Sequence, residues 1–401
     1  MKKNINLHLS YYLIILFLFA IFFLYQKHDV ANDSTISEWL INYEGGFTKR
    51  GLIGQLSIYF ANVFSTGLRD IIFVFQITTV GIYFYLIYYF FKNLELKRVF
   101  VFVIFTPIFI LYPIAEIEVL ARKELFIFIY FLVYTFIPSN RKNYKFYYKL
   151  IFLPITILIW EPVVFFILFF FFLDLVDNKI NKFDKLFFIQ IVSYFTSINL
   201  SIYIALNPIS NENHALMANS LLVNFNENCY MSCALLKTKS SIYQQFQGNF
   251  GKYSIEIFIR YILIILIGFG PLFTLIFFSQ LKENKIIFLK SFKKNNLLFF
   301  YLILLSPVLL LFAMGYDWGR WVNISYVLTL VSFFYLYKNN LIYVDLKKIK
   351  LNKLNLLKSK YFIYIFIIYA FTWNPKTVIT GDVASFPLYR ILYKFIKIYI
   401  L

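Results

Sequence analysis

Long apolar runs recur along the whole chain, from residues 7–25 near its start to residues 361–373 near its end. Hydrophobic residues make up 61% of the 401 residues, and charged residues only 15%. A backbone that crosses lipid must satisfy its own hydrogen bonds, and a helix does so within one segment. The sequence therefore predicts an all-α protein, a polytopic transmembrane helical bundle of about 11 spans (roughly 10–12), with external re-entrant and interfacial helices. Residues 1–401 are predicted to form a single integral membrane domain.

The net charge of +19 raises the question of a nucleic-acid partner, but its distribution indicates another origin. Lysines and arginines concentrate in short segments between the apolar runs, such as 138–149 and 282–294. Cytoplasmic loops of membrane proteins collect these residues. The charge therefore predicts an orientation in the membrane and no nucleic-acid partner, with a cytoplasmic N-terminus held by an uncleaved signal anchor. The predicted external segments are residues 26–69, 114–124, 208–254 and 315–321.

Residues 150–176 are predicted to form a tight helical hairpin or a re-entrant pair. Basic segments flank both ends, which places both ends on the cytoplasmic side. Two full crossings of about 20 residues each do not fit into this length. Because a proline breaks a helix, we expect Trp160, Glu161 and Pro162 at the tip of the hairpin.

Compact polar motifs fall on the predicted external side, whereas the cytoplasmic loops contain mostly Lys, Asn and Leu. The motifs lie at residues 44–50, 116–124, 160–162 and 317–320. This asymmetry predicts that the active face is external. The first motif belongs to residues 42–52, which combine Glu44, Lys49 and Arg50 with three glycines. Since glycine lets backbone N–H groups approach a ligand closely, this stretch is predicted to bind an anion.

Each motif also has a plainer interpretation. Glu44 can be a solvated loop acid, and Lys49 with Arg50 can bind lipid phosphate at the membrane interface. Residues 116–124 can form a surface helix that pairs its own charges at i,i+4 spacing. Tryptophans at the end of a span are often only interface anchors. Glu161 is harder to dismiss, because a bare carboxylate among apolar residues is costly, and it is predicted to have a cationic partner or a function.

Two cysteines, Cys229 and Cys233, lie in the predicted external segment 208–254, which also contains His214. Two cysteines cannot form an all-cysteine zinc site, which needs four thiolates. They are predicted to form a local disulfide in an oxidising compartment, with His214 as a plain loop residue. Because the sequence has no dense acidic cluster, it predicts no bound metal and no cofactor.

Arginines beside carboxylates on one membrane face favour a particular chemistry. Arginine forks bind an anionic diphosphate leaving group, and a carboxylate can act as the base toward an attacking hydroxyl. The aromatic rings of Tyr316, Trp318 and Trp321 can stack on sugar faces. A lipid-linked sugar diphosphate would use all of these groups, so it is the predicted partner together with membrane lipid.

The chain resembles the Wzy-type O-antigen and capsule polymerases of bacteria. The likeness is carried by residues 43–52 (YEGGFTKRGL), 121–124 (ARKE) and 317–321 (DWGRW). They are similar to the patterns GGFxRRGL, RKD/E and DxGRW of membrane proteins from polysaccharide loci, with Lys49 in place of the first arginine. The resemblance implies a multi-pass inner-membrane glycosyltransferase with a periplasmic active face. Such an enzyme joins undecaprenyl-diphosphate-linked oligosaccharide repeats by inverting transfer, and a chain-length regulator is a further candidate partner.

The resemblance and the chemistry together assign roles to the motif residues. The cations assigned to the diphosphate are Lys49, Arg50, Arg122, Lys123 and Arg320. Either Glu44 or Asp317 is the expected base, and Glu161 orients an arginine or takes the base role itself.

Two other functions stay open. A GT-C glycosyltransferase would add single sugars from a polyprenyl-phosphate donor, and dependence on a divalent metal would mark it. A flippase or transporter predicts charges deep in the spans and two similar halves, so it ranks lower because the sequence has no visible repeat.

Overall fold

The fold is almost entirely helical in a computed structural model that describes residues 6–30, 33–95, 97–177, 185–237, 242–282, 297–345 and 361–379. The helices of its first half are α1 (Asn6–His28), α2 (Ser34–Ser37), α3 (Gly51–Phe64), α4 (Leu68–Phe91), α5 (Arg98–Ile104), α6 (Tyr112–Ala115), α7 (Leu125–Phe136), α8 (Lys142–Ile159) and α9 (Ile167–Asp177). Those of its second half are α10 (Lys185–Leu206), α11 (Asn211–Phe225), α12 (Met231–Ala234), α13 (Ile242–Phe250), α14 (Ile255–Phe277), α15 (Leu297–Leu305), α16 (Val308–Met314), α17 (Trp318–Lys338) and α18 (Phe362–Phe371). Short 3-10 turns occupy Ile117–Val119, Glu161–Phe166 and Leu235–Lys237, a π-helical turn occupies Pro107–Leu111, and β1 (Ser279–Leu281) pairs antiparallel with β2 (Ile342–Val344).

Among the described residues, five segments are long and apolar enough to cross a membrane, and there are six if the bent pair α15 and α16 counts as one span. They are Asn6–His28, Leu68–Phe91, Arg98–Ala115, Phe187–Leu206 and Ile255–Phe277. The predicted all-α class agrees with this architecture, which is that of a multi-pass helical membrane protein. The predicted count of about 11 spans is not confirmed, since other helices are short or carry polar residues within the bundle.

Helix α17 lies at the centre of the bundle, and every residue from Trp318 to Leu336 is buried. Polar side chains of α17 donate hydrogen bonds to backbone carbonyls of a neighbouring segment whose helix is irregular. The Asn323 amide donates to the carbonyls of Ile108 and Phe109, at 2.8 and 3.1 Å, where Phe109 departs from helical geometry. The segment Arg98–Ala115 is therefore not one continuous α-helix. The predicted loop 315–321 is also shorter than expected, because α17 already begins at Trp318.

The segment predicted as a hairpin consists of α8 and α9, separated by an extended residue at Trp160 and the short turn Glu161–Phe166. Ion pairs join the far ends of the two helices, Lys145 with Asp177 and Lys149 with Asp174. The two helices are longer than residues 150–176, because these lysines lie inside α8 rather than in a loop. The buried charges of Lys145 and Lys149 are tolerated because each lysine has an acidic partner.

In the polar segment 208–254, the described residues up to 237 are largely helical and pack against the first predicted external segment. Helix α12 contacts α2, and the Ser232 amide donates to the Ser37 hydroxyl at 3.2 Å. Arg69, at the start of α4, pairs with Glu227. Cys229 and Cys233 form a disulfide, as the sequence predicts, with the sulfur atoms 2.11 Å apart. These contacts hold the first external segment in place over the helix ends.

Candidate functional site

Eight charged side chains from separate parts of the chain meet at one end of the bundle, and we call them the charge cluster. They are Glu38, Arg50, Arg122, Lys123, Glu124, Glu161, Asp317 and Arg320. Arg320 lies in the first turn of α17 and the others lie in or next to the short segments that connect helices, so the cluster lies where helix ends come together. Most are buried, and each arginine has at least one carboxylate partner, as charges in a low-dielectric interior require.

Glu38 occupies the centre of the charge cluster and is fully buried. One carboxylate oxygen accepts from Arg50 Nη1 at 3.2 Å, and the other accepts from Arg122 Nε at 3.1 Å. Burial alone would raise the pKa of Glu38, but the surrounding cations, chiefly Arg122, hold it well below its usual value. Glu38 is not among the site residues that the sequence predicts. A signal was available, since Glu38 stands beside Trp39-Leu40-Ile41, where an unpaired carboxylate is as costly as at Glu161.

Arg50 links two carboxylates at the entrance to helix α3. Its Nε and Nη2 form a fork with the two oxygens of Glu161, at 2.7 and 2.8 Å, and its Nη1 reaches Glu38. Its backbone is left-handed, with φ 63°, and its carbonyl accepts from Lys123 Nζ at 2.5 Å. A left-handed arginine is unusual and is kept only where surrounding contacts enforce it. The predicted cationic partner of Glu161 is therefore Arg50.

The glycines of residues 42–52 serve the fold rather than a ligand. A Cβ at Gly45 would lie 1.9 Å from the carbonyl oxygen of Asn213 in α11, and one at Gly51 would lie 2.2 Å from the ring of Tyr43. The close approach that glycine permits is thus made by the protein's own backbone and side chains. These glycines therefore do not form the anion-binding backbone loop that the sequence predicts. Any anion binding by this stretch depends on its charged side chains.

Arg320, in the first turn of α17, connects the motif at residues 317–320 to the motif at residues 116–124. Its Nε and Nη2 contact both oxygens of Glu124, at 2.9 and 2.7 Å, and its Nη1 contacts Asp317 at 2.6 Å. Arg122 pairs with Glu38 rather than within its own segment, and Ala121 has a left-handed backbone with φ 53°. Residues 116–124 are therefore not a self-paired surface helix, because their charges are used in long-range contacts.

Lys123 is fully buried between these pairs. Burial lowers the pKa of its ammonium to about 7, with Arg50 adding to the effect and Glu38 and Glu161 opposing it. A lysine with this pKa changes charge near neutrality. The net charge of the cluster consequently depends on pH in the range in which an enzyme works.

Replacing Lys123 with Met should change how the stability of the protein depends on pH. The folded state releases the Lys123 proton near pH 7, whereas the unfolded state holds it until about pH 10.4, so wild-type stability gains with rising pH across this window. Relative to K123M, the gain in the free energy of unfolding should be about 1.4 kcal/mol per pH unit at most. Melting curves of both purified proteins at pH 6, 7, 8 and 9 measure it, and a constant difference would contradict the placement of a titrating lysine here.

Three members of the charge cluster are only partly buried, and we call them, together with the neighbouring Lys49, its open edge. The side chain of Asp317 is 31% exposed, and those of Glu161 and Arg50 are each 21% exposed, while Lys49 lies at the surface. Burial opposes the charged form of Glu161, yet Arg50 and Lys49 outweigh it and hold its pKa below the usual value. The other five members of the cluster are buried.

Glu44 is not part of the charge cluster. It is exposed and accepts a hydrogen bond from Gln55 Nε2 at 2.6 Å. Its position agrees with the plainer interpretation, a solvated loop acid. Of the two candidate bases, only Asp317 contacts an arginine of the cluster.

The aromatic residues predicted to stack on sugars are differently placed. Trp318 is buried among other rings, including Tyr253 at 5.2 Å and Tyr261 at 5.0 Å, and its N–H donates to the Phe312 carbonyl. Tyr316 is half-buried and donates to a backbone carbonyl. Trp318 therefore has no free face for a sugar.

Trp321 and Trp160 form a pair next to the charge cluster. Their ring centroids are 6.1 Å apart, and the Arg320 guanidinium lies 5.4 Å from the Trp321 ring. Both indoles are buried, and neither indole N–H has a hydrogen-bond partner among the described residues. A buried N–H without a partner is costly, so the two indoles are unsatisfied donors next to the charge cluster.

The described residues contain one group of side chains with metal-ligand spacing, namely His214, Cys229 and Cys233. His214 Nε2 lies 3.3 Å from Cys229 Sγ, but the two sulfur atoms are bonded to each other. A disulfide supplies no thiolate, which is the form of cysteine that binds metal. His214 is buried rather than a plain loop residue, and its Nε2 also lies 3.1 Å from the Cys233 carbonyl oxygen.

Comparison with protein-family models, with curated proteins and with solved structures finds no match for this chain. The described residues define its class: a multi-pass helical membrane protein with buried, paired charges at one end of the bundle and an open edge beside them. Function must therefore be inferred from the geometry of this cluster.

Proposed function

We propose that the protein is a membrane glycosyltransferase that polymerises oligosaccharide repeats carried on undecaprenyl diphosphate at the periplasmic face of a bacterial inner membrane. The observation that carries the proposal is the open edge of the charge cluster. Two cations, Lys49 and Arg50, lie there with the partly exposed Glu161, and a second partly exposed carboxylate, Asp317, belongs to the same cluster through Arg320. Transfer from a lipid diphosphate requires both: positive charge for the leaving group and a base for the acceptor.

In this proposal the diphosphate is bound by Lys49 and Arg50, the cations nearest the surface. Arg122, Lys123 and Arg320, which the sequence also assigned to the diphosphate, have their polar contacts within the protein. They act as the support that holds Glu38 and Glu124 and keeps Arg50 and Asp317 in place. A rigid support matters because preformed charge costs no reorganisation when the leaving group departs.

Asp317 is the proposed base. Its carboxylate is the most exposed of the acids in the charge cluster and is oriented by Arg320. It accepts the proton of the acceptor hydroxyl as the hydroxyl oxygen attacks the anomeric carbon. The bond from that carbon to the diphosphate oxygen breaks, and the lipid diphosphate leaves with the electron pair, inverting the anomeric centre. The indole N–H groups of Trp160 and Trp321 are donors for sugar hydroxyls or phosphate oxygens.

Deletion of the gene tests the function. Loss of the polymer ladder on a lipopolysaccharide or capsule gel, with single repeats retained, is the expected result. A ladder of normal length would exclude polymerisation. A truncated single repeat would indicate addition of one sugar instead, which is the GT-C alternative. Complementation with Arg50→Ala or Arg320→Ala, at equal protein level, is expected to leave the ladder absent.

Lys49→Ala is the sharpest test of the diphosphate contacts, because Lys49 is exposed and its loss should leave stability unchanged. One charge-assisted contact contributes about 1.5–3 kcal/mol, so we expect the KM for the lipid-diphosphate donor to rise about tenfold or more, with a small change in melting temperature. Lys49→Arg should retain activity, since an arginine presents the same charge in a fork.

The matched control is Lys142→Ala, which removes an exposed lysine at the first residue of helix α8. It should leave the donor KM unchanged. An unchanged KM in Lys49→Ala would remove Lys49 from the diphosphate site.

A further inference from the structure

A second polar site lies at the opposite end of the bundle from the charge cluster. Arg320 and Lys338 stand at the two ends of helix α17, and 18 residues of helix separate them by roughly 27 Å. Beside Lys338 is a cavity of about 460 Å³. Its polar lining includes Asn93, Lys97, Lys282, Lys338, Asn340 and Tyr343.

The three lysines of this lysine cavity come from distant parts of the chain. Lys97 immediately precedes α5, Lys338 is the last residue of α17, and Lys282 follows β1. The small sheet holds Lys282 in place, since its backbone N–H donates to the Leu341 carbonyl at 3.0 Å next to the β1–β2 pairing. The tertiary structure therefore brings the three lysines together, and they do not come from one lysine-rich loop.

Two of the three ammonium groups of the lysine cavity contact neutral partners. Lys97 Nζ donates to the Tyr337 hydroxyl at 2.9 Å, and Lys338 Nζ donates to the Phe90 carbonyl at 2.5 Å. Within the described residues none of the three lysines forms an ion pair, whereas every arginine of the charge cluster does. Among the described lining residues Glu95 is the one carboxylate, so these residues carry a net charge of about +2.

A further lysine increases the local positive potential. Partial enclosure lowers the pKa of Lys338, and repulsion from Lys92 lowers it further. Like charges held together are unfavourable unless an anion neutralises them. The amides of Asn93 and Asn340 and the hydroxyl of Tyr343 line the same space and supply neutral hydrogen-bond donors.

We propose that the lysine cavity binds a phosphate group, separately from the transferase site at the other end of the molecule. Lysine ammonium groups bind phosphate as point charges, and amide and hydroxyl donors complete its hydrogen bonds. The phosphate can belong to the headgroup of an anionic membrane lipid or to a soluble phosphate compound. Basic pockets between membrane helices bind such headgroups. Binding there would tie β1 and β2 to the ends of α5 and α17.

The test uses the full-length protein, purified in a neutral detergent, and measures its melting temperature with two probes. Short-chain phosphatidylglycerol represents the lipid source, and inorganic phosphate represents the soluble source. Short-chain phosphatidylcholine controls for lipid that has no net charge. We expect a saturable rise in melting temperature with an anionic probe. A rise with phosphatidylglycerol alone assigns a lipid headgroup, and a rise with inorganic phosphate as well assigns a phosphate site open to soluble ligands.

Lys97→Gln combined with Lys282→Gln should weaken binding of the effective probe at least tenfold, because two of the three phosphate contacts lose their charge. The matched control is Lys142→Gln, which removes an exposed lysine at the first residue of α8. It should bind the probe like wild type. The double variant keeps the charge cluster intact, so its transferase activity in detergent without the probe should be unchanged.

The proposal would be overturned if the melting temperature did not rise with either anionic probe, or if it rose equally with phosphatidylcholine. It would also be overturned if the double variant bound the effective probe as tightly as wild type. Failure of the proposed transferase activity would leave this binding result unaffected, because the melting experiment needs no substrate.

Discussion

Replacing Glu38 with Gln should destabilise the protein more than any other single change in the charge cluster. Glu38 is fully buried and is bonded to both Arg50 and Arg122, so the variant takes a partner from the partly exposed guanidinium of Arg50 and from the buried guanidinium of Arg122. Removing one member of a buried ion pair costs about 3–5 kcal/mol. The melting temperature of the purified protein should fall by roughly 5–10 °C, with a lower yield of folded protein from the membrane.

The matched control is Glu44→Gln, the same substitution six residues later in an exposed side chain. It should leave the melting temperature unchanged. Adding Arg122→Met to Glu38→Gln should recover part of the loss, because removing both partners of a buried pair is much less costly than removing one. Equal melting temperatures for Glu38→Gln and Glu44→Gln would show that Glu38 is not the centre of the cluster.

Replacing Asp317 with Asn should have the largest effect on catalysis. A positioned base contributes about 10²–10⁴-fold to a rate, and an amide cannot accept the proton of the acceptor hydroxyl. The fold should survive, since Asp317 is 31% exposed and an amide oxygen can still accept from Arg320. We expect kcat to fall by about two orders of magnitude or more, with the donor KM and the melting temperature little changed. Turnover of a soluble lipid-diphosphate oligosaccharide measures it.

Two variants separate Asp317 from the other candidate bases. Glu44→Gln should retain full kcat, because Glu44 lies outside the charge cluster and its exposed carboxylate accepts from Gln55. Glu161→Gln should raise the donor KM more than it lowers kcat, since Glu161 orients Arg50. If Glu44→Gln abolished turnover while Asp317→Asn did not, the base would be Glu44 and the proposed mechanism would fail.

Several features could be predicted from the residues alone, because they depend on local properties. Apolar runs and the scarcity of charge predict an all-α membrane protein, and the described helices agree with that class. The proline after Glu161 predicts a break between two helices, and the structure has it there. The cost of a bare carboxylate predicts a cationic partner for Glu161, which is Arg50.

The identity of that partner and the composition of the cluster could not be read from the sequence. Arg50 and Glu161 are 111 residues apart, and Arg320 and Glu124 are 196 apart. An ion pair leaves no periodic pattern along the chain, because its energy depends on distance and burial in the folded protein. For the same reason Glu38, at the centre of the cluster, was missed.

The sequence by itself determined the class of the protein and the residue types of its motifs, since hydropathy and charge act over short segments. Only the tertiary structure decided which charges meet and which reach solvent. It placed Arg50 and Asp317 at an open edge, buried Lys123 and Arg320 behind them, and left Glu44 outside. The physical reason is desolvation: a charge removed from water is tolerated only beside a partner, and packing of distant helices supplies that partner.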